Sequence, residues 1–98
     1  MSVRLTPEGL SELRAILVSI RRASPRGAAR VLKRFDELLG ILDEQPRAGK
    51  KAKGRDIYRV VLRPFPCLVF YRLIDDAVQI FIVRHAARDP RTMPGSEE

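Results

Sequence analysis

Few side chains in this sequence are equipped to act on a polar substrate. His85 is the only histidine, and so the only group whose ordinary pKa lies near neutrality. Arg84 adjoins it, and Arg88 and Asp89 follow closely. Arg59 and Tyr71 lie in apolar stretches upstream. Such groups suit RNA cleavage without a metal. That reaction needs a base for the 2′-hydroxyl, an acid for the leaving 5′-oxygen and cations for the phosphorane. His85, Arg59, Arg84 and Tyr71 form the catalytic set under that reading. Each also has a structural alternative. His85 can close a strand end by bonding backbone or Asp89. Arg88 and Asp89 can form a local ion pair, worth little if exposed. Arg59 can pin a carboxylate at Asp56, Asp75 or Asp76. Tyr58 and Tyr71 can be half-buried sheet residues.

A second basic group is the run Arg47, Lys50, Lys51, Lys53 and Arg55. Clustered cations give salt-dependent contact with phosphates or an acidic partner. The run holds no aromatic for a base to stack on, and a solvated loop is the commoner reading of such a run. Cys67 reads as a core thiol, with no metal-ligand spacing around it. No phosphate-cradling glycine loop, catalytic carboxylate pair or Ser/His/Asp set is present. No metal or cofactor is expected.

The chain of 98 residues is sized for one domain. We place that domain at 1–90, with 91–98 as a flexible tail. The net charge is +7, from 19 basic and 12 acidic residues, and Arg far outnumbers Lys. That balance favours polyanionic or acidic partners. A single cysteine precludes an internal disulfide and fits a reducing compartment. The apolar runs are far shorter than the ~20 residues that span a bilayer. A cytoplasmic protein with no membrane partner is expected.

Ser2–Leu5 reads as a short strand. Thr6-Pro7-Glu8 then carries a helix start: a capping hydroxyl, a proline whose missing N–H costs nothing there, and an acid in the first turn. Leu10, Leu13, Leu17 and Ile20 make one helical face. Ser24-Pro25 repeats the start signal. The second stripe is Ala28, Val31, Leu32, Phe35, Leu38, Leu39 and Leu42. Two helices so closely joined pack as an antiparallel hairpin. Beyond a loop at 45–54, three strands are predicted over 56–62, 66–73 and 77–83. Their short links imply antiparallel pairing. Alternation assigns Tyr58, Val60, Leu62, Leu68, Phe70, Val78, Ile80 and Ile82 to the helix-covered face. Arg59, Tyr71, Gln79 and His85 fall on the other. The fold class is α+β, in the order β-α-α-β-β-β, with the hairpin on one face of a small antiparallel sheet.

Two segments then resemble a known family. Phe65-Pro66-Cys67-Leu68-Val69-Phe70-Tyr71-Arg72 resembles the [YF]-P-Y-x-[IV]-[FY]-Y-R run of ParE-type toxins. Val83-Arg84-His85-Ala86-Ala87-Arg88-Asp89 resembles their V-x-H-x-A-R-D ending. Leu5-Thr6-Pro7-Glu8, Ser24-Pro25, Pro46-Arg47-Ala48-Gly49 and Arg59 match in the same order. The sequence departs at Cys67, where an aromatic is common, and at Pro90, where an aliphatic residue usually begins a terminal helix.

The resemblance is to the RelE/ParE superfamily of type II toxin–antitoxin toxins. It implies two functions on one fold. RelE-type members cut mRNA in the ribosomal A site, and ParE-type members block DNA gyrase. An antitoxin's C-terminal segment, extended or helical, would neutralise either. The H-x-A-R-D ending belongs to the ParE branch. The C-terminal aromatic that the RelE branch uses is missing, since nothing after Phe81 is aromatic. The expectation is a ParE-like gyrase inhibitor with Arg59, Tyr71, Arg84, His85, Arg88 and Asp89 as target-binding residues. The alternatives are a ribosome-dependent mRNA interferase, and an orphan that only binds an antitoxin.

Overall fold

A computed structural model describes residues 2–52 and 56–85. The chain opens with β1 (Ser2–Leu5) and continues into α1 (Pro7–Ala23) and α2 (Pro25–Glu44). Then come β2 (Lys50–Lys51), β3 (Tyr58–Val61), β4 (Cys67–Ile74) and β5 (Ala77–His85).

Both helix starts are local chemistry. The Thr6 hydroxyl accepts from Gly9 N, and the Ser24 hydroxyl accepts from Gly27 N, each at 3.0 Å. Each bond satisfies an amide the helix leaves orphaned. Ser24 also closes α1, because its own N–H donates to the Ile20 carbonyl at 2.7 Å. One residue therefore turns the chain between the helices. At the front of α1, Thr6 N donates to the Ile80 carbonyl at 2.9 Å. A Cβ built on Gly9 would lie 2.9 Å from that same oxygen. Glycine is what lets the first turn of α1 sit against β5.

The sheet order is β1-β5-β4-β3-β2. The three later strands pair antiparallel, as their short links require. Asp75 and Asp76 both take positive φ, at 49° and 59°. That conformation suits the two-residue turn joining β4 to β5, because it matches the twist of the strands. Three details differ from expectation. First, β1 runs parallel to β5, so the sheet is mixed. The helix hairpin carries the chain from that edge to the opposite one. Second, Lys50 and Lys51 pair with Arg59 and Tyr58, so part of the basic loop is a fifth strand. Third, β5 runs on to His85.

The core lies between hairpin and sheet. Leu13 and Ile16 of α1, and Val31, Phe35, Leu38 and Leu42 of α2, meet Tyr58, Cys67, Val69, Tyr71, Val78, Ile80 and Val83. Ile16 was not in the expected stripe, while Leu10 and Leu32 were and are 38% and 52% exposed.

The expected sheet faces are corrected by the register. Tyr58 pairs with Tyr71 and Val60 with Val69, so Cys67, Val69 and Tyr71 face the helices. Leu68, Phe70 and Arg72 face away. On β5 the pairing slips: Phe70 lies opposite Ile82 but Tyr71 opposite Ile80, leaving Phe81 as an extra residue. A bulge of one residue inverts the alternation. Val78 and Ile80 face the helices as expected, but beyond the bulge Val83 does so and Ile82 does not.

Candidate functional site

The sheet face away from the helices is built by strand alternation. Arg4 of β1 stands beside Gln79, which pairs with Arg72. Lys50 stands beside Arg59, which pairs with Phe70 and through it with Ile82. Arg84 lies opposite Leu68. The described strands thus put five cations and no carboxylate on this face. Arg59, Arg4 and Lys50 are exposed. The Arg72 guanidinium lies over the Phe81 ring, 4.1 Å from its centroid, a favourable cation–π contact. The Nε of Arg72 has no hydrogen-bond partner among the described residues.

Arg84 reaches round the sheet edge instead. β1 covers β5 only as far as Ile80, so residues 81–85 have no strand on that side among the described residues. Glu12 of α1 fills the gap. One carboxylate oxygen accepts from Val83 N at 3.0 Å, and the other pairs with Arg84. A side-chain acceptor thereby substitutes for the missing strand.

Tyr71 leaves the expected surface set. It is fully buried on the helix side and stacks on Tyr58, with ring centroids 5.2 Å apart. Its hydroxyl accepts from Gly49 N at 2.9 Å. Burial pushes its phenol pKa up, against a smaller lowering by the Gly49 bond. A phenol so enclosed reaches no substrate. The cause is the register, which turns Tyr71 away from Arg59 and Arg84.

His85 lies opposite Cys67, a core residue, at the helix-side end of β5. It is half-buried, and its Nδ1 has no hydrogen-bond partner among the described residues. Cys67 is 1% exposed, and burial raises its thiol pKa. That agrees with a core thiol. Arg59 does not pin Asp56, whose partner is Lys51 at 3.9 Å, both side chains well exposed. Arg47 is exposed. Arg88, Asp89, Lys53 and Arg55 lie outside the described residues. The register therefore splits the four-residue catalytic set, with Arg59 and Arg84 on one face and Tyr71 and His85 on the other.

Sequence reasoning missed Glu12, Arg4 and Arg72. Nothing in the local sequence marks Glu12, and only the position of the β5 edge gives it a role. It also missed an apolar groove of about 450 Å³ on the hairpin, lined by Leu17, Val18, Ala28 and Leu32 and rimmed by Arg14 and Arg21. Among the described residues no group of three or more His, Cys, Asp or Glu is placed to hold a metal. No helix there is long and apolar enough to cross a membrane.

A two-helix hairpin on a mixed five-stranded sheet is the α+β fold of the RelE/ParE toxins. The chain superposes on a chain of the chromosomal ParDE system from P. aeruginosa with a TM-score of 0.74 at 19% identity, covering 87% of this chain and 95% of that one. It superposes on the isolated E. coli RelE toxin with a TM-score of 0.61 at 23% identity, covering 89% and 85%. The family model for the ParE toxin of type II toxin–antitoxin systems, parDE, matches residues 3–90. The chain is 32% identical over 84 residues to the Sinorhizobium fredii protein named "Putative toxin Y4kP", covering 86% of each. It belongs to the ParE toxin family.

Proposed function

We propose that this toxin acts by binding rather than by cutting RNA, and that its target is DNA gyrase. The observation that carries this reading is the placement of Tyr71. The one tyrosine of the catalytic set is sealed in the core on the face opposite Arg59 and Arg84. A proton-transferring group and the cations that hold the same phosphate must converge on it, and here Tyr71 and His85 lie on the face away from Arg59 and Arg84. Membership of the ParE family supports the same reading. Arg59, Arg84 and His85 remain as target-binding residues. Arg88 and Asp89 complete that set in our proposal.

The test uses one preparation of the toxin in two assays, gyrase supercoiling and cleavage of a short mRNA on programmed ribosomes. Inhibited supercoiling with intact mRNA is expected. Cut mRNA with normal supercoiling overturns the reading and returns His85, Arg59 and Arg84 as catalytic candidates.

The proposed neutralising partner is a cognate antitoxin, as in the ParDE and RelBE complexes whose chains this one resembles. The hairpin groove suits an amphipathic segment. Leu17, Val18 and Leu32 offer apolar contact, and Arg14 and Arg21 offer carboxylate forks at the rim. The charge of +7 would steer such a partner in. Association that slows as salt rises is expected, and a rate indifferent to ionic strength removes the steering.

A further inference from the structure

Four of the cations on the open sheet face have no carboxylate partner among the described residues. These are Arg4, Lys50, Arg59 and Arg72. Like charges gathered on one small face repel one another. Lys50 and Arg59 are neighbours across β2 and β3, Arg72 lies two residues along β4 from the partner of Arg59, and Arg4 stands two strands from Arg72 across Gln79, about 10 Å away. Arg72 is also held in place by Phe81, so its guanidinium is partly preorganised.

The surface chemistry narrows the occupant. A single strand of RNA or DNA is gripped by aromatic platforms as well as cations. Here no ring is offered: Phe70 is 1% exposed, and Arg72 covers Phe81. An acidic peptide needs apolar anchors beside its carboxylates. The exposed large apolar residues of this face are Val61 and Ile74. Val61 pairs with Leu68, six residues along β4 from Ile74, so they lie about 20 Å apart. Leu68 and Ile82, also on this face, are only partly exposed, so the groups it presents most fully are its cations, and a polyanion held through its charges fits them best.

We propose that this face is a contact surface for the phosphate backbone of duplex DNA. The inference rests on the gyrase reading for its setting, because gyrase acts on duplex DNA. The toxin would then touch both the enzyme and the DNA it holds. Binding would be independent of sequence and strongly salt-dependent, since each neutralised phosphate releases counterions.

The experiment is fluorescence anisotropy of the full chain with a labelled 20-bp duplex over a salt series. The test variant is Arg4→Gln/Lys50→Gln/Arg59→Gln, which changes three exposed side chains of the face. The control is Arg26→Gln/Arg30→Gln/Lys33→Gln, which removes the same charge from exposed positions on α2. The face variant is expected to lose roughly tenfold or more in affinity, and its slope of log K against log salt to fall by about 2 to 3. The control is expected to lose far less. Should the triple face variant fail to fold, Arg59→Gln alone reads the same slope, with a fall of about 0.9. Equal losses in the two triples overturn the proposal, because net charge alone would then be at work. So does an absence of duplex binding, or tighter binding to single-stranded RNA of equal length. Supercoiling inhibited by a toxin that binds no DNA overturns this inference and leaves the gyrase reading intact. Face-specific DNA binding without effect on supercoiling supports the inference and removes that reading.

Discussion

Glu12 and Arg84 meet across the edge of the sheet, joining the middle of α1 to the end of β5. The same carboxylate accepts from Val83 N at 3.0 Å. Both side chains are about a quarter exposed, at 27% for Arg84 and 26% for Glu12. The pair is therefore less screened than a surface bridge. It closes a stretch of strand edge that β1 is too short to cover.

Glu12→Ala strips Val83 N of its acceptor and leaves Arg84 without its partner. A loss of about 1–2 kcal/mol is expected. For a domain of this size that lowers Tm by roughly 4–16 °C. Glu12→Gln can still accept from Val83 and should lose less. Thermal unfolding followed by circular dichroism measures both, and equal melting of wild type and Glu12→Ala would show that the clip contributes nothing.

Gly49 is held by its fit to Tyr71. A Cβ there would lie 2.7 Å from the Tyr71 hydroxyl and 2.9 Å from the Arg59 carbonyl. Gly49→Ala must shift the segment leading into β2, at a cost of about 1–3 kcal/mol. Tyr71→Phe only deletes the acceptor and should cost about 1 kcal/mol. Urea denaturation ranks the two, and Tyr71→Phe as the more damaging change would contradict the contact as described.

Cys67 and Tyr71 make stability depend on pH on the alkaline side. Burial raises both pKa values above their ordinary 9.0 and 10.0. Above those values the unfolded chain releases protons that the folded chain keeps, so the folded state binds more protons and stability falls as pH rises. The decline should set in about a unit below the ordinary thiol value of 9.0, grow through it and steepen as pH passes about 10. Cys67→Ala should remove the first part of that decline. Its absence in wild type would show that the thiol ionises without unfolding. Native protein should also react with a thiol reagent only at the rate of opening.

Leu32 is half exposed on the hairpin groove. Leu32→Asp should therefore barely alter Tm, yet weaken antitoxin binding by roughly tenfold or more, as loss of an apolar anchor does. Titration calorimetry with the cognate antitoxin measures it, and unchanged affinity would place that partner elsewhere on the toxin.

The helices were legible because their signals are local. Thr6-Pro7 and Ser24-Pro25 cap within three residues of themselves, and the stripe through Val31, Phe35, Leu38 and Leu42 repeats at helical spacing. The turn at Asp75 and Asp76 and the strands around it were equally local. The motifs of β4 and β5 placed the chain in its family for the same reason, being contiguous in sequence.

The faces of the sheet were not local. Cys67–Ile74 is apolar in both phases except at Tyr71 and Arg72, so alternation along it has no preferred origin. Pairing with β3 and β5 chose the phase, and it took Tyr71 into the core. The extra residue at Phe81 then reversed β5 at a point no composition marks. Glu12 gained its role because β1 stops at Leu5, a relationship between residues 71 positions apart. The gathering of Arg4, Lys50, Arg59 and Arg72 on one face likewise depends on which strands are neighbours, and strand order is decided only when the hairpin has carried the chain across the sheet.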